Sequence, residues 1–286
     1  MTMEATTSIN YEQAKEAFLK DGFFIAKGVV PVDCINRCAE EIMSVFADQL
    51  NFIGISVPGD TFERAKALYD ADMSRYKKVL GSLWRLASVG DLFCQQAIRV
   101  FLKSVIGYGK IYVPGGQVVL IQSEDLKIPG GYFGFEPHQD WPSVQGSLDG
   151  VVAWIPLCRI DEFSYPLEIV LGSHKSGLRA SSNSDAQGQW TVDANPGERY
   201  VPITAEPGDV VFMSNFTLHR SGLKGKSSFM RIACSARFDN GDERSFIERA
   251  YPTAYIRSVH RQLMDFSGVE EVNQLIHSME SHYEKS

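Results

Sequence analysis

The run Met230-Arg-Ile-Ala-Cys-Ser-Ala-Arg-Phe238 sets Met230, Ile232, Cys234, Ala236 and Phe238 in alternation with Arg231, Ala233, Ser235 and Arg237. Successive side chains on a strand point to opposite faces, so this period of two predicts a strand with one apolar face. The other face carries two arginines, and a guanidinium inside a sheet needs an anion or a carboxylate to meet it. Just upstream, Gly222-Leu-Lys-Gly-Lys-Ser-Ser228 is dense in turn residues, so the strand returns from a hairpin whose tip Lys224 and Lys226 solvate. Further out, Gly and Pro clusters at 114–116, 129–131 and 207–208 separate short Val- and Ile-rich runs. These are Val118-Val-Leu-Ile121, Gly150-Val-Val-Ala-Trp-Ile155 and Asp209-Val-Val-Phe-Met213. Short apolar runs between turn signals predict an antiparallel sandwich or barrel, not alternating βαβ units.

Outside this β-rich stretch the pattern turns helical. Residues Tyr11 to Leu19 carry apolar side chains at helical spacing, and Asp21-Gly22 ends them. A short strand is expected over Phe23-Phe-Ile-Ala26 and on through Gly28-Val-Val30, ending at Pro31. Asp33 is the expected N-cap of a helix running through Ile35, Ile42, Val45 and Phe46. Further helical regions are expected over 62–86 and 91–105, and again from Asp242, with a polar helix near 270–285. Residues 181–200 are polar and predict a long surface loop or lid. One domain over 1–286 is expected: a mostly helical part (1–106), a β-core (107–240) and a helical C-terminal part (241–286).

The chain has 286 residues, 44% of them hydrophobic, with 28 Lys+Arg against 35 Asp+Glu and a formal net charge of −7. That composition supports a sizeable core and excludes wholesale disorder. An acidic balance argues against a nucleic-acid partner, and no apolar run approaches the roughly 18 residues of a membrane helix. The N-terminus lacks the basic and apolar regions of a secretory signal. Five scattered cysteines, an odd number, read as reduced small residues, so a cytoplasmic location is expected.

The chemistry concentrates in Glu136-Pro-His-Gln-Asp-Trp141. On extended chain His138 and Asp140 share a face, so one imidazole nitrogen and one carboxylate oxygen can take adjacent positions on a metal ion. A second histidine, His219, follows the strand-like run 209–213. Two histidines and a carboxylate on one face of an octahedron suit non-haem iron, with two open positions for a chelating co-substrate and one for dioxygen. An H-x-D pair alone is weak. The downstream arginine strand strengthens it, because a planar guanidinium matches a carboxylate with two parallel hydrogen bonds.

With those pieces in order, the chain resembles the phytanoyl-CoA dioxygenase family of iron(II)/2-oxoglutarate oxygenases. The resemblance runs through Asp21-Gly-Phe-Phe-Ile25, the H-Q-D segment, Val152-Ala-Trp-Ile-Pro-Leu157 and Leu167-Glu-Ile-Val-Leu-Gly-Ser-His-Lys-Ser-Gly177. It continues through Pro207-Gly-Asp-Val-Val-Phe212 and His219-Arg-Ser-Gly222 to Arg231. It implies a double-stranded β-helix (jelly-roll) core with Fe(II) held by His138, Asp140 and His219. It also implies that Arg231 and Ser221 receive the distal carboxylate of 2-oxoglutarate, with Gln122 at a position that often touches the co-substrate and Trp154 at one lining the pocket. The implied reaction consumes O2 and 2-oxoglutarate, hydroxylates an unactivated C–H bond, and releases succinate and CO2. Related halogenases put a small residue where Asp140 stands, so hydroxylation is the expected outcome.

Each assignment has a plainer counterpart. A strand Trp154 also suits core packing. Trp141, Phe133 and Phe135 flank the metal segment as a substrate wall or as packing beneath a loop. Arg237 reaches either a ligand or an internal carboxylate. His174 reads as a turn-stabilising residue rather than a fourth ligand, and His260, His277 and His282 as solvent-facing. Desaturation, epoxidation or cyclisation could replace hydroxylation, and an acyl-CoA could replace a small natural-product substrate. Lys and Arg at 64–85 are spread along presumed helices, without a cluster for a CoA phosphate, which favours the small molecule. From other classes come a non-catalytic metal-binding jelly roll and a zinc hydrolase. Neither accounts for an Arg/Ser carboxylate clamp beside the metal set.

Overall fold

Helix α1 (Tyr11–Asp21) starts where the Asn10 side chain accepts from Gln13 N and ends at Gly22, whose φ of 82° lets its N–H reach Phe18 O. The strand follows as β1 (Phe23–Ala26), shorter than expected, because the chain turns at Gly28, whose φ is 60° and whose N donates to Asp209 Oδ1 at 2.9 Å. The computed structural model describes residues 10–254 except 131, 132, 185–188, 194 and 196, together with residue 274. It divides the chain into two compact units, Met1–Tyr255 and Ile256–Ser286. Except for residue 274, the second unit lies outside the described residues, and with it fall the helix expected near 270–285 and His260, His277 and His282.

Helix α2 (Val32–Phe52) corrects one expectation: Pro31 occupies the N-cap, and Asp33 lies in the first turn. Pro31 fixes its own φ and has no N–H to satisfy, so the helix starts two residues early. Asp33 still faces the positive end of the helix dipole. The continuous run expected over 62–86 is broken at Asp72, which adopts φ −152° and caps the following helix by accepting from Arg75 N at 2.9 Å. The result is α3 (Thr61–Ala71) and α4 (Met73–Leu80), then a 3-10 turn at Leu83–Arg85. The next region likewise splits into α5 (Ala87–Phe93) and α6 (Gln96–Phe101), continued by a π-helical turn to Ile106.

Strands β2 (Ile111–Tyr112) and β3 (Val118–Gln122) open the β-core, and the short helix α7 (Trp141–Val144) follows the metal segment. Then come β4 (Val151–Pro156) and β5 (Leu167–Val170). Where a loop was expected over 181–200, the chain forms an antiparallel hairpin of β6 (Ser181–Ser184) and β7 (Gln189–Val192) and enters β8 (Tyr200–Ile203). β6 is all Ser and Asn, and the alternation of β7, Gln189-Trp-Thr-Val192, is too short to stand out in a stretch rich in Ser, Asn, Asp and Gly. The core closes with β9 (Val210–Ser214), β10 (His219–Ser221) and β11 (Arg231–Asn240), before α8 (Arg244–Glu248).

Six strands form one antiparallel sheet in the order β1-β9-β4-β11-β2, with β3 also paired to β11, and three form a second in the order β10-β5-β8. The two faces of the large sheet have different duties. Its outer face, with Cys234, Phe238, Ile155 and Phe212, packs against the helical layer through Phe46, Leu92 and Phe101. Its inner face, with Trp154, Val152, Val211 and Met213, meets Leu167, Ile169 and Ile203 of the smaller sheet. The alternation on β11 is therefore real, and its arginine face lies between the sheets. Antiparallel sheets of this kind, with helices against one of them, make the jelly-roll class expected. The molecule is nonetheless mixed helix and strand, since α2 alone runs 21 residues.

Candidate active site

The metal segment is held in place by backbone. His138 and His219 exchange both ladder bonds, His138 N to His219 O at 2.9 Å and His219 N to His138 O at 3.0 Å. This joins the segment to the smaller sheet beside β10. Farther along the same pairing, Ser221 N donates to Phe135 O at 2.8 Å and Ser221 Oγ accepts from Phe135 N at 2.9 Å. Gly134 permits this approach: its φ is 118°, and a Cβ there would stand 2.8 Å from Gln122 Nε2 and 2.9 Å from Ser221 Cβ.

His138, Asp140 and His219 come together, all buried, each offering a ligand atom within 4.8 Å of the others. Each imidazole is oriented by a carbonyl, which can only accept. His138 Nδ1 donates to Glu136 O at 2.7 Å and His219 Nδ1 donates to Thr217 O at 2.9 Å. Both Nε2 atoms are thereby left unprotonated and available as ligands. Burial lowers the pKa of His138 to about 3, with the neighbouring His219 adding to the fall. Burial also lowers that of His219, against the pull of Asp140. For Asp140, burial pushes the carboxyl up, but the Arg237 guanidinium and both imidazoles reverse this and hold it below the usual carboxylate range.

Asp140 Oδ2 lies 3.7 Å from His219 Nε2 and, although buried, has no hydrogen-bond partner. A buried carboxylate oxygen without a donor, facing two neutral imidazole nitrogens, is what a divalent cation completes. The residues present therefore fit the metal that the sequence pattern calls for.

Beside the triad, one cavity is lined by His138, His219, Ser221, Arg231, Trp154 and Arg237, among others. Arg231 is 2% exposed, sits opposite Gln122 on β3, and donates through Nη1 to Tyr165 O. Gln122 Nε2 donates to Gly222 O at 3.0 Å, while its Oε1 is buried without a hydrogen bond. Trp154, 2% exposed, both lines the cavity and packs in the inter-sheet core.

The aromatic residues divide. Phe135 lines the cavity, its ring 5.5 Å from that of His138. Phe133 turns instead toward Tyr165 and Lys127. Trp141 stacks on Phe216 with ring centroids 5.7 Å apart. Arg237 meets an internal carboxylate, that of Asp140, at 2.8 Å. His174 stands apart from the triad, its Nε2 3.2 Å from Leu19 O, in keeping with a turn residue.

Gln139, between the two ligands, went unassigned in the sequence. Its Nε2 donates to Gly177 O and Phe216 O, and its Oε1 accepts from Arg179 N at 2.9 Å. It ties the Gly-Ser-His-Lys turn to the metal segment. Tyr165, which receives Arg231 and holds φ +51°, was also missed. Neither carries a local pattern, since both act through partners far along the chain.

Fold and site together define an iron- and 2-oxoglutarate-dependent oxygenase. Residues 18–233 match the family model described as phytanoyl-CoA dioxygenase (PhyH), and the chain belongs to that family. It is 23% identical over 243 residues to the peroxisomal phytanoyl-CoA dioxygenase of Mus musculus, covering 80% of this chain and 68% of that one. Among solved structures it resembles EctD from S. alaskensis with 2-oxoglutarate and 5-hydroxyectoine, at TM-score 0.54 and 15% identity, covering 85% of this chain and 80% of that one. It also resembles the epimerase SnoN in complex with Fe3+, alpha ketoglutarate and nogalamycin RO, at TM-score 0.50 and 18% identity over 80% and 83% of the two chains. Among the described residues, no helix is long and apolar enough to cross a membrane.

Proposed function

We propose that the protein hydroxylates an unactivated C–H bond of a small organic molecule, a natural-product intermediate, with release of succinate and CO2. The observation that carries this reading is one cavity lined both by His138 and His219 of the buried His138–Asp140–His219 set and by Arg231 and Ser221. The reading assigns iron to His138 Nε2, Asp140 Oδ2 and His219 Nε2, and the distal carboxylate of 2-oxoglutarate to Arg231 and Ser221. Iron and 2-oxoglutarate supply the oxidising power; the protein supplies orientation and a shielded pocket. Arg231 neutralises a dicarboxylate inside the fold, and Trp154 and Phe135 keep water from the reacting centre.

A small substrate is preferred to an acyl-CoA. Lys66 pairs with Asp70 and Arg75 with Asp72, so two basic residues of the 64–85 region are matched by neighbouring acids rather than left for a CoA phosphate. The SnoN structure holds nogalamycin RO and the EctD structure 5-hydroxyectoine, both small molecules, which agrees with this choice. The five cysteines are free, which suits a reducing compartment, and we place the protein in the cytoplasm. The test is succinate release from 2-oxoglutarate with Fe(II), O2 and a panel of small molecules, followed by product mass. A gain of one oxygen atom supports hydroxylation. Loss of two hydrogens, or no mass change, would replace it with desaturation or isomerisation by the same class of enzyme.

A further inference from the structure

Asp140 has two oxygens in unlike surroundings. Oδ1 accepts from Arg237 Nη2 at 2.8 Å, whereas Oδ2 faces His219 and has no hydrogen bond. Arg237 is itself anchored. Its Nη1 donates to Ser235 Oγ at 3.0 Å, and its backbone pairs with Val152 in the middle of the large sheet. Asp140, by contrast, ends the metal segment at the N-cap of the four-residue α7, with no side-chain bond to that helix. The guanidinium thus comes from the middle of the large sheet and the carboxylate from a segment tied to β10 by the His138–His219 ladder bonds. The Asp140 side chain is 4% exposed and that of Arg237 14%, so solvent does little to weaken the contact.

We propose that Arg237 is a positioning residue that occupies Asp140 Oδ1 and so restricts the carboxylate to one metal-facing oxygen. The inference rests on the assignment of His138, Asp140 and His219 to the metal. A carboxylate engages a cation through one oxygen or both. If both oxygens of Asp140 turned to the ion, they would take one of the positions that a chelating 2-oxo acid needs. Arg237 prevents this by holding the far oxygen in a directional, charge-assisted hydrogen bond. The sheet that carries the co-substrate arginine, Arg231, thereby also sets how many positions the metal leaves open. This explains why β11 presents a second buried arginine six residues after the first.

The test uses Co(II), a redox-inert spectroscopic stand-in, in the wild type and in Arg237→Gln, Arg237→Lys and Asp140→Ala, with circular dichroism to check folding. Cobalt absorption is recorded first without and then with 2-oxoglutarate. For Arg237→Gln we expect Co(II) affinity within about tenfold of wild type, an altered cobalt spectrum before any 2-oxoglutarate is added, and 2-oxoglutarate binding weakened about tenfold or more. Arg237→Lys, which keeps a cationic donor, restores part of the wild-type spectrum. An unchanged spectrum together with unchanged 2-oxoglutarate affinity overturns the proposal. So does an unchanged spectrum with weakened 2-oxoglutarate, because Arg237 would then touch the co-substrate directly. Metal loss as complete as in Asp140→Ala, in a folded Arg237→Gln protein, also overturns it. If Arg237→Gln does not fold, the cobalt-loaded wild type decides through X-ray absorption, where a carboxylate bound through one oxygen supports the proposal and through two refutes it. Absence of Co(II) binding by the wild type is a separate result, one that removes the metal assignment itself.

Discussion

The two faces of β11 share a backbone and little else. On the outward face Ile232, Cys234, Ala236 and Phe238 join the helical layer in a dry core. On the inward face Arg231, Ser235 and Arg237 line the cavity beside the metal set, and Arg231 is buried as deeply as its apolar neighbours. Burying two guanidiniums costs stability unless each is matched, so the inward face trades some stability for a charged, shaped pocket. The outward face holds the strand straight enough for that pocket to keep its geometry. Substitutions on the two faces are therefore expected to fail differently, one in folding and the other in chemistry.

The largest effect is expected at Asp140→Ala. Turnover is predicted to fall by at least about a thousandfold, some 4 kcal/mol in activation free energy, with a melting temperature near wild type. Succinate release and calorimetry on the same preparation check both halves, and substantial turnover would sink the triad. Phe212→Ala breaks the opposite face. Phe212 is fully buried and stacks on Phe101 with centroids 3.7 Å apart, so a loss of about 3–5 kcal/mol in unfolding free energy is expected. The folded fraction of that variant is predicted to bind 2-oxoglutarate as the wild type does; a marked loss of affinity would mean that the faces are not independent.

Arg231→Lys is milder. Exchanging a bidentate partner for a point charge removes on the order of 1.5–3 kcal/mol, so the KM for 2-oxoglutarate is predicted to rise more than tenfold with stability little changed. The smallest effect lies at the far end of the strand. Burial raises the pKa of Asp239 to about 6, while Ser147 N and Oγ donate to its Oδ1. Its folded pKa is above the unfolded value, so its contribution to stability is present at pH 4 and lost as pH rises through about 6. Asp239→Asn removes that loss. Its stability advantage over wild type is predicted to grow by roughly 1–2 kcal/mol between pH 4 and pH 7 in urea titrations.

What could be read in advance followed from how local each signal is. The alternation at 230–238 and the two-residue spacing of His138 and Asp140 are complete within a few residues, so strand and ligand pair were both legible. The ordered motifs then pointed to His219, Ser221 and Arg231, which the fold brings to one cavity. Features that depend on distant partners were not legible. The Arg237–Asp140 bond spans 97 residues and the tether from Gln139 to Phe216 spans 77, and no local pattern encodes either. Helix limits slipped where a single polar residue outweighed periodicity, as Asp72 does between α3 and α4. The β6–β7 hairpin was hidden because each strand is only four residues long: β6 is all Ser and Asn, and β7 offers just Trp190 and Val192 in alternation. Such strands gain their order from ladder bonds and from the neighbouring metal segment, where Val192 N donates to Pro137 O at 2.8 Å.

The central claim is that His138, Asp140 and His219 hold iron with positions left open for 2-oxoglutarate, which Arg231 anchors. It is tested most directly by anaerobic titration of the metal-free protein with Fe(II) and then 2-oxoglutarate, following visible absorption. The account predicts a weak charge-transfer band that appears only when both are present and is missing in Asp140→Ala and Arg231→Ala. Iron bound with no such band on adding 2-oxoglutarate would contradict it, because the coordination shell would then be closed to the chelate.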